Sequence, residues 1–551
     1  MGATKRYFGL VGTKLNIAIG VIAGMDFLLF GYDQGVMGGL LTLPSFEKVF
    51  PEIATSPAAT ANLSRSESNH RHTIQGISVA SYNLGCFFGA ILCIFVGDIL
   101  GRRKTIWIGS AIMVVGAALQ ASAFELSHFI VGRVITGIGN GLNTSTVPTW
   151  QSECSKSHRR GQLVMIEGAL ITGGICLSYW LDFGFSFLEP SSISWRFPIA
   201  FQIIFALIIM ASVMGLPESP RWLILKGKED EALNVLGALS DLPTNDSTIQ
   251  AEYTAIKATV LEMQKGGFKD LFVRNKDRHL HRVVLAYVNQ MFQQISGINL
   301  ITYYAATIYE SSIGLDGFMS RILAACNGTE YFLASWIAVF VVEKVGRRPL
   351  MLFGAVGMSL SMTVLAISTS FTHQTKAGIV AAVFLFVFNT FFAIGWLGMT
   401  WLYPAEIVPL RIRAPANALA TSGNWIFNFM VVMITPVSFS SIGYQTYIIF
   451  AVINAFIVPV VYFFYPETAY RSLEEMDSIF RKTDSIFTVV KIAKETPRRY
   501  GKKGELLILH DEADEHARTG IITEDEKTPS FPEKRQDDVE SGSGSGSESP
   551  R

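Results

Sequence analysis

The chain has 551 residues, 50% of them in the set Ala, Val, Ile, Leu, Met, Phe, Trp, Tyr and Cys, while 12% are aromatic and only 16% carry charge. Soluble domains carry about 25% charged residues, so a water-facing globule of this composition would lack the polar surface to cover itself, and the apolar excess must face lipid. Lysine plus arginine equals aspartate plus glutamate at 45 each, which removes any nucleic-acid binder held by overall charge.

A membrane helix needs about 20 mainly apolar residues. Scanning at that length predicts twelve spans, at 15–41, 73–97, 105–124, 127–150, 162–183, 196–216, 283–309, 320–342, 350–370, 377–403, 414–437 and 445–465. The first apolar stretch is too long for a signal-peptide core and has no convincing cleavage site after it, so it reads as a retained first helix. Lys and Arg of short loops stay in the cytoplasm. Alternate loops are rich in them, with Arg102, Arg103 and Lys104, then Lys156, Arg159 and Arg160, then Lys344, Arg347 and Arg348, then Arg411 and Arg413, whereas segment 438–444 has none. Both termini are therefore expected in the cytoplasm.

The expected organisation is a cytoplasmic N-terminus (1–14), a six-helix bundle (15–216), a charged cytoplasmic linker with short helices (217–282), a second six-helix bundle (283–465) and a cytoplasmic tail (466–551). Apolar periodicity ends at about 482 and the chain closes in Ser-Gly repeats, so the tail beyond that point is read as largely disordered. In this topology Asn62-Leu63-Ser64 is the one well-placed glycosylation sequon, because Asn143 and Asn327 fall in helices and Asn245 faces the cytosol. Cys86, Cys93, Cys154, Cys176 and Cys326 are odd in number and lie in or beside apolar runs without a CxxC pair, which excludes a disulfide scaffold or zinc site. His70-Arg71-His72 in the external loop lacks further ligands, so no metal is expected. Gly137-Ile-Gly139-Asn-Gly141 lies inside a span with no preceding strand, and its small residues suit close helix packing better than a nucleotide.

The chain is written twice. Gly101-Arg102-Arg103 recurs as Gly346-Arg347-Arg348, Glu153 before Arg159-Arg160 recurs as Glu406 before Arg411-Ile412-Arg413, and Pro217-Glu218 recurs as Pro466-Glu467. The predicted fold class is an all-α membrane protein of twelve transmembrane helices in two pseudo-symmetric six-helix bundles, the architecture of transporters that rock two halves about a site at mid-membrane.

Together these signatures resemble the sugar porter family of the major facilitator superfamily. The matched residues include Gly31-Tyr32-Asp33, Gly97-Asp98, Gly132-Arg133, Pro217-Glu218-Ser219-Pro220-Arg221, Gln293-Gln294-Ile295-Ser296-Gly297-Ile298-Asn299, Glu343 and Pro466-Glu467-Thr468, and the match covers about residues 15–480. Asn143 to Glu153 and Tyr179-Trp-Leu-Asp-Phe-Gly184 look like the fungal branch that holds glycerol/proton symporters and hexose or pentose transporters.

Asp26, Asp33, Arg133, Glu167 and Glu330 lie within predicted helices, where an ionised side chain costs at least about 2.5–3.5 kcal/mol unless paired or wet. By helical rise, Asp33 and Arg133 lie roughly 12 and 9 Å from the outer ends of the first and fourth helices, so they can share a level, while Asp26 sits roughly 10 Å deeper. An Asp33–Arg133 pair is expected. The resemblance implies that this pair is the proton-coupling element, broken when Asp33 takes a proton from outside. Glu167 stands where the family usually has a sugar-contacting glutamine; it either replaces that contact, carries a second proton, or lies just outside the site.

A sugar offers many hydroxyls and a weakly apolar ring face, which calls for amides and an aromatic platform. Gln290, Gln293, Gln294 and Asn299 fall within ten residues of the seventh span. The resemblance implies that Gln293, Gln294, Asn299, Asn327 and Trp401 contact sugar and that Asn424 and Trp425 line the site. Buried amides also bond neighbouring helices, and tryptophans also form interfacial belts. The family's prolines before the tryptophan of the tenth helix are absent, since this chain reads Gly398-Met399-Thr400-Trp401.

The resemblance further implies a cytoplasmic salt-bridge latch made of Asp98, Arg102, Arg103, Glu153, Arg160, Glu218 and Arg221 in the first half and Glu343, Arg347, Arg348, Glu406, Arg411, Glu467 and Arg471 in the second. The expected activity is proton-coupled hexose or pentose symport at the plasma membrane, by a chain that works as a monomer and uses no cofactor beyond protons as the coupling ion. A glycerol or polyol symporter is the nearest alternative, and a transporter-like sugar sensor is further off. No nucleophile–base constellation points to an enzyme.

Overall fold

The computed structural model describes residues 6–155, 160–264, 268–371, 375–471 and 473–497. Its first half is α1 (Gly12–Leu40), α2 (Arg65–Leu100), α3 (Arg102–Ala121), α4 (Leu126–Cys154), α5 (Arg160–Ser186) and α6 (Ile193–Val213). The second half is α7 in two pieces (His279–Ile295 and Ile298–Thr307), α8 (Gly317–Val345), α9 (Arg347–Ser370), α10 in pieces (Thr375–Phe392 and Met399–Ile407), α11 (Arg413–Ile442) and α12 (Gln445–Phe464). This is the twelve-helix fold with two matching halves. Ten of the helices are long and apolar enough to cross a membrane; α4, which carries Arg133, Asn140 and Asn143, and the broken α7 are the two that are not.

Close packing follows from small residues. A Cβ on Gly31 of α1 would lie 1.8 Å from the Ile171 carbonyl oxygen of α5, and one on Gly174 of α5 would lie 2.0 Å from the Leu28 oxygen of α1. These two helices therefore touch along their backbones. Gly137 and Gly141 do the same for α4 against α2, which is the use their spacing suggested.

The halves are joined by α2 against α11 and α5 against α8. Side-chain hydrogen bonds between them run from Thr172–Ser335 (3.0 Å) at the middle, through Trp180–Thr329 (2.8 Å) and Tyr303–Asn83 (3.0 Å), to Asn69–Ser440 (3.1 Å) and Arg321 to the Thr42 carbonyl (3.4 Å) at the end away from Gly101 and Gly346. Among the described residues none joins the halves at the basic end.

The linker forms helices Pro220–Leu225, Glu229–Ser240 and Ser247–Gln264, and Asn16 of α1 donates to the Leu239 carbonyl at 2.9 Å. Beyond α12 the chain differs from expectation: it is ordered past 482, with helices Leu473–Arg481 and Val489–Glu495 packed on the basic end. Val489 and Ala493 bury one face of the second helix, and Arg471 donates to the Thr496 carbonyl (2.8 Å). Four apolar residues on a seven-residue helix give too little periodicity to detect. Residues 498–551, the rest of the expected tail, lie outside the described residues. Toward the other end, α2 begins eight residues earlier than its apolar run, capped by Ser64 and Glu67, so His70 and His72 sit in its first turns rather than in a loop. Asn62 is exposed just before it.

Candidate functional site

The polar centre is built on two broken helices. At Gly297 the backbone takes φ +101°, a left-handed value that glycine alone adopts without strain, and α7 changes course there. In α10, a five-residue π-helical stretch Ala393–Leu397 interrupts the regular ladder around Leu397 O, and Pro404 lacks the amide proton that Thr400 O would otherwise accept. Amides of α7 reach carbonyls along this stretch: Asn289 donates to Met399 O (3.2 Å), Gln290 to Thr400 O (3.0 Å) and Gln293 to Leu397 O (3.3 Å).

The remaining amide groups form a chain. Asn424 of α11 donates to Gln290 (2.7 Å) and Gln293 (3.0 Å), Gln294 donates to Gln293 (2.9 Å), and Asn299 donates to Gln294. The structure thus brings Gln293, Gln294, Asn299 and Asn424 together. Asn327 of α8 accepts from Asn389 of α10 (2.8 Å) and keeps its own Nδ2 unbonded. Buried Asn428, one turn after Asn424, has neither side-chain atom bonded, and Trp425 Nε1 is likewise free. Buried polar groups normally have partners, so these are the groups a hydroxyl-rich ligand can satisfy. Trp425 faces the first half, its ring 5.3 Å from Phe30 and 6.4 Å from Tyr82. Trp401 is half-buried on the last piece of α10. Asn289, Asn389 and Asn428 escaped the sequence reading, although two of them stand four residues from a named amide on the same helical face.

The first half supplies charge instead. Asp33 and Arg133 are both fully buried, but the expected ion pair is not formed. Arg133 donates from Nη2 to the Val79 carbonyl (2.9 Å) and lies 5.0 Å over the ring of Tyr82, while neither Asp33 oxygen has a hydrogen bond. The aromatic face and the carbonyl hold the guanidinium in place of the carboxylate. Asp26 accepts from Asn143 at 2.8 Å and neighbours Glu167. A Cβ on Gly168 would lie 3.5 Å from Leu397 of α10, so the Glu167 turn faces both Asp26 of α1 and the broken helix. Glu330 is elsewhere, bonded to Thr390 beside a recess of about 550 Å³ lined by Trp180, Cys326 and Leu333.

At the basic end each half closes on itself. Glu218 accepts the backbone amides of Arg102 (3.1 Å) and Arg103 (3.2 Å) at the start of α3, and Arg102 pairs with Asp98 (2.8 Å) and Glu153 (3.1 Å). Burial pushes the Glu218 carboxyl above its usual range against these bonds. In the second half Glu467 accepts the amides of Arg347 (2.9 Å) and Arg348 (3.1 Å), and Arg347 pairs with Glu343 (2.9 Å) and Glu406 (2.7 Å). Arg103 and Arg348 each donate to carbonyls at the end of their half's last helix, at Val213 (3.2 Å) and Tyr462 (2.8 Å). Two residues expected in the second network bind elsewhere: Arg411 pairs with Asp270 of the linker (3.2 Å), and Arg471 caps the tail helix. Both belong to flexible-reach arginines whose partner the spacing alone cannot choose. Arg221 joins neither network, and the side chain of Arg160 lies outside the described residues.

Residues 19–480 match the protein family described as sugar (and other) transporters. The sugar transporter STL1 of Saccharomyces cerevisiae is 41% identical over 86% of this chain and 83% of its own. The MFS-type transporter oryC of Aspergillus oryzae is 40% identical over 91% of this chain and 92% of its own. The high glucose sensor RGT2 of Saccharomyces cerevisiae is 30% identical over 88% of this chain but 63% of its own. Among solved structures, the MFS proton:xylose symporter XylE bound to 6-bromo-6-deoxy-D-glucose superposes with a TM-score of 0.72 at 27% identity, covering 85% of this chain and 100% of that one.

Proposed function

The chain belongs to the sugar transporter family of the major facilitator superfamily, and from that premise we propose that it is a proton-coupled monosaccharide symporter of the plasma membrane, with both termini cytoplasmic. The family is one of transporters, and the chain is no enzyme. One observation carries the proposal. Tyr82 lies against Arg133 on one side and Trp425 on the other, so the groups that answer to a proton and the groups that answer to a sugar share a side chain. Phe30, three residues before Asp33, touches the same tryptophan.

In the proposed cycle, with the transporter open outward, an ionised Asp33 draws Arg133 toward it. Proton binding releases Arg133 to the Val79 carbonyl and the Tyr82 face, the arrangement seen here, and the relaxed first half closes over sugar held by Gln293, Gln294, Asn299 and Asn424. The halves are bridged away from the basic end, which is the geometry of release on the cytoplasmic side. About 100 mV supplies roughly 2.3 kcal/mol per proton and one pH unit about 1.4, together enough for roughly 500-fold accumulation. The likeness to the proton:xylose symporter XylE supports this reading.

A second reading is favoured by Glu167 in place of a glutamine: a narrower polyol substrate such as glycerol. The deciding experiment is labelled uptake of glucose, xylose and glycerol in transport-deficient cells, with and without a protonophore, for the wild type and Asp33→Asn. Protonophore-sensitive accumulation of a sugar, lost in Asp33→Asn while exchange persists, is the expected result. Accumulation of glycerol alone establishes the second reading; equilibrative uptake indifferent to protonophore overturns proton coupling, and binding without uptake overturns transport in favour of a sensor.

A further inference from the structure

We infer that Asp182 of α5 is a second proton-binding carboxyl, through which a proton from outside is passed on to Asp33 of α1. The inference rests on the proton-coupled reading above. Asp182 is 1% exposed, and neither of its carboxyl oxygens has a hydrogen-bond partner. It sits four residues from the end of α5 that lies away from the basic end, roughly 6 Å by helical rise. Its carboxyl presses on the α1 backbone at Gly39, where an added Cβ would come within 2.5 Å of Oδ2, so glycine is what lets α1 run past it.

A carboxylate with a structural task has side-chain donors or a cation to hold. Among the described residues Asp182 has neither, its one neighbouring donor being the Gly39 backbone amide, and the one buried cation away from the basic end, Arg133, is committed to Val79 and Tyr82. The titratable groups that face Asp182 are Tyr32 and, beyond it, Asp33 from α1, Tyr179 from its own helix, and Tyr303 of α7 beside Tyr179. The elements α6 and α8 contribute no charge there: α6 offers the Pro198 carbonyl, taken by the Tyr32 hydroxyl at 2.7 Å, and α8 offers Gly328 against Tyr179. Tyr32 interacts with both carboxylates at once.

Spacing makes the set a series. Gly39, level with Asp182, stands six residues beyond Asp33, and Asp26, level with Glu167, stands seven residues before it, so the carboxyls succeed one another at roughly 9–10 Å along α1. Each hand-over moves one proton. Asp182 takes it from external water and becomes neutral, then gives it to Asp33 and returns to the anion, with water bridging the gap, since the hydroxyls of Tyr32, Tyr179 and Tyr303 donate to Pro198, Thr302 and Asn83. Oxygens that serve as relay stations must stay free of side-chain donors, which is the condition observed.

The test uses the full-length protein in proteoliposomes with an outward-to-inward proton gradient, reading sugar-induced proton influx, the external pH profile of uptake, and sugar counterflow. Asp182→Asn, which keeps size and an acceptor, is expected to retain counterflow, to lose at least ten-fold in proton-driven uptake, and to show a pH profile displaced from the wild type. A wild-type profile and influx in Asp182→Asn overturn the inference. Absence of sugar-induced proton influx in the wild type instead overturns the symport reading, and that separates the two failures. Should the variant lose counterflow as well, labelling of the wild-type protein with an apolar carbodiimide, mapped by mass spectrometry, decides: modification of Asp182 that rises as external pH falls supports proton binding there, and its absence at every pH overturns it.

Discussion

The two halves agree at the basic end and part company in the middle. Glu218 and Glu467 receive the same pair of amides, Gly101 and Gly346 turn with φ of +86° and +101°, and Arg103 and Arg348 close the last helix of each half. Trp150 donates to the Pro217 carbonyl (3.0 Å) as Tyr403 donates to that of Pro466 (2.9 Å). At mid-membrane the correspondence ends. The first half keeps α1 unbroken and loads it and its neighbours with Asp26, Asp33, Arg133, Glu167 and Asp182; the second breaks α7 and α10 and fills the space with amides. A duplicated fold keeps what holds it together and diverges where, on the proposed function, its two ligands differ, ions answering to charge and sugars to paired donors and acceptors.

That division of labour can be broken experimentally. The largest effect is expected for Asp33→Asn: accumulation should fall from roughly 500-fold, under about 100 mV and one pH unit, to equilibration, while counterflow of labelled sugar persists. Gln293→Ala should do the converse. It strips donors and acceptors from Asn424, Gln294 and the Leu397 carbonyl, and at about 1–3 kcal/mol for groups left unsatisfied the KM for sugar should rise roughly 5- to 150-fold, with protonophore sensitivity unchanged. Proton coupling lost in Gln293→Ala, or KM alone altered in Asp33→Asn, would dissolve the distinction between the halves.

Gly297→Ala should cost about 1–2 kcal/mol, because L-residues resist a left-handed backbone and the new Cβ meets Met362 and Phe450 at 3.0 Å; thermal unfolding of the purified protein reads it as a lowered midpoint. Glu218→Gln and Glu467→Gln should each lose about 1 kcal/mol, by equal amounts, since a neutral amide accepts the same backbone bonds less strongly. Unequal losses would show that the likeness of the two basic ends is geometric only. The smallest effect concerns the tail. Arg481 beside Asp277 holds that carboxyl below its usual range in spite of partial burial. A carboxyl lowered in the folded state adds stability above its unfolded value and loses it as pH falls through the folded one. The docked tail should therefore loosen only in acid below the ordinary carboxylate range, which protease sensitivity of the 482–497 segment against pH can follow.

Much of this was legible from periodicity. Apolar runs mark most spans to within a few residues, and the duplicated Gly-Arg-Arg and Pro-Glu signatures locate both basic ends, because those features depend on local composition. Side-chain partners are different. Depth along a helix put Asp33 and Arg133 at one level, but the rotation that turns Arg133 toward Tyr82 and Val79 belongs to packing between helices. Asp182 lies inside a predicted span and is read only as part of the Tyr179–Gly184 motif, since nothing in the residues around it announces Gly39 as its neighbour. The family resemblance places Arg411 and Arg471 in the latch, whereas their partners, Asp270 and Thr496, come from segments whose placement is decided only by the folded linker and tail.

The two helices that fail the test of length and hydropathy, α4 and α7, bear on how the protein is made. A translocon releases a segment sideways into lipid when the segment prefers it, and a central arginine alone costs about 2.5–3.5 kcal/mol on that scale. Left to themselves, α4 with Arg133 and α7 with its glutamines have weak claims to insertion. α4 enters beside α2 and α3, already there with backbone-close faces, whereas α7 finds its polar partners on α11 only when that later helix has been made. Biogenesis of each half is then a concerted event, and a substitution that weakens α2 or α11 should surface first as a defect in topology, seen in the newly made chain before any transport is measured.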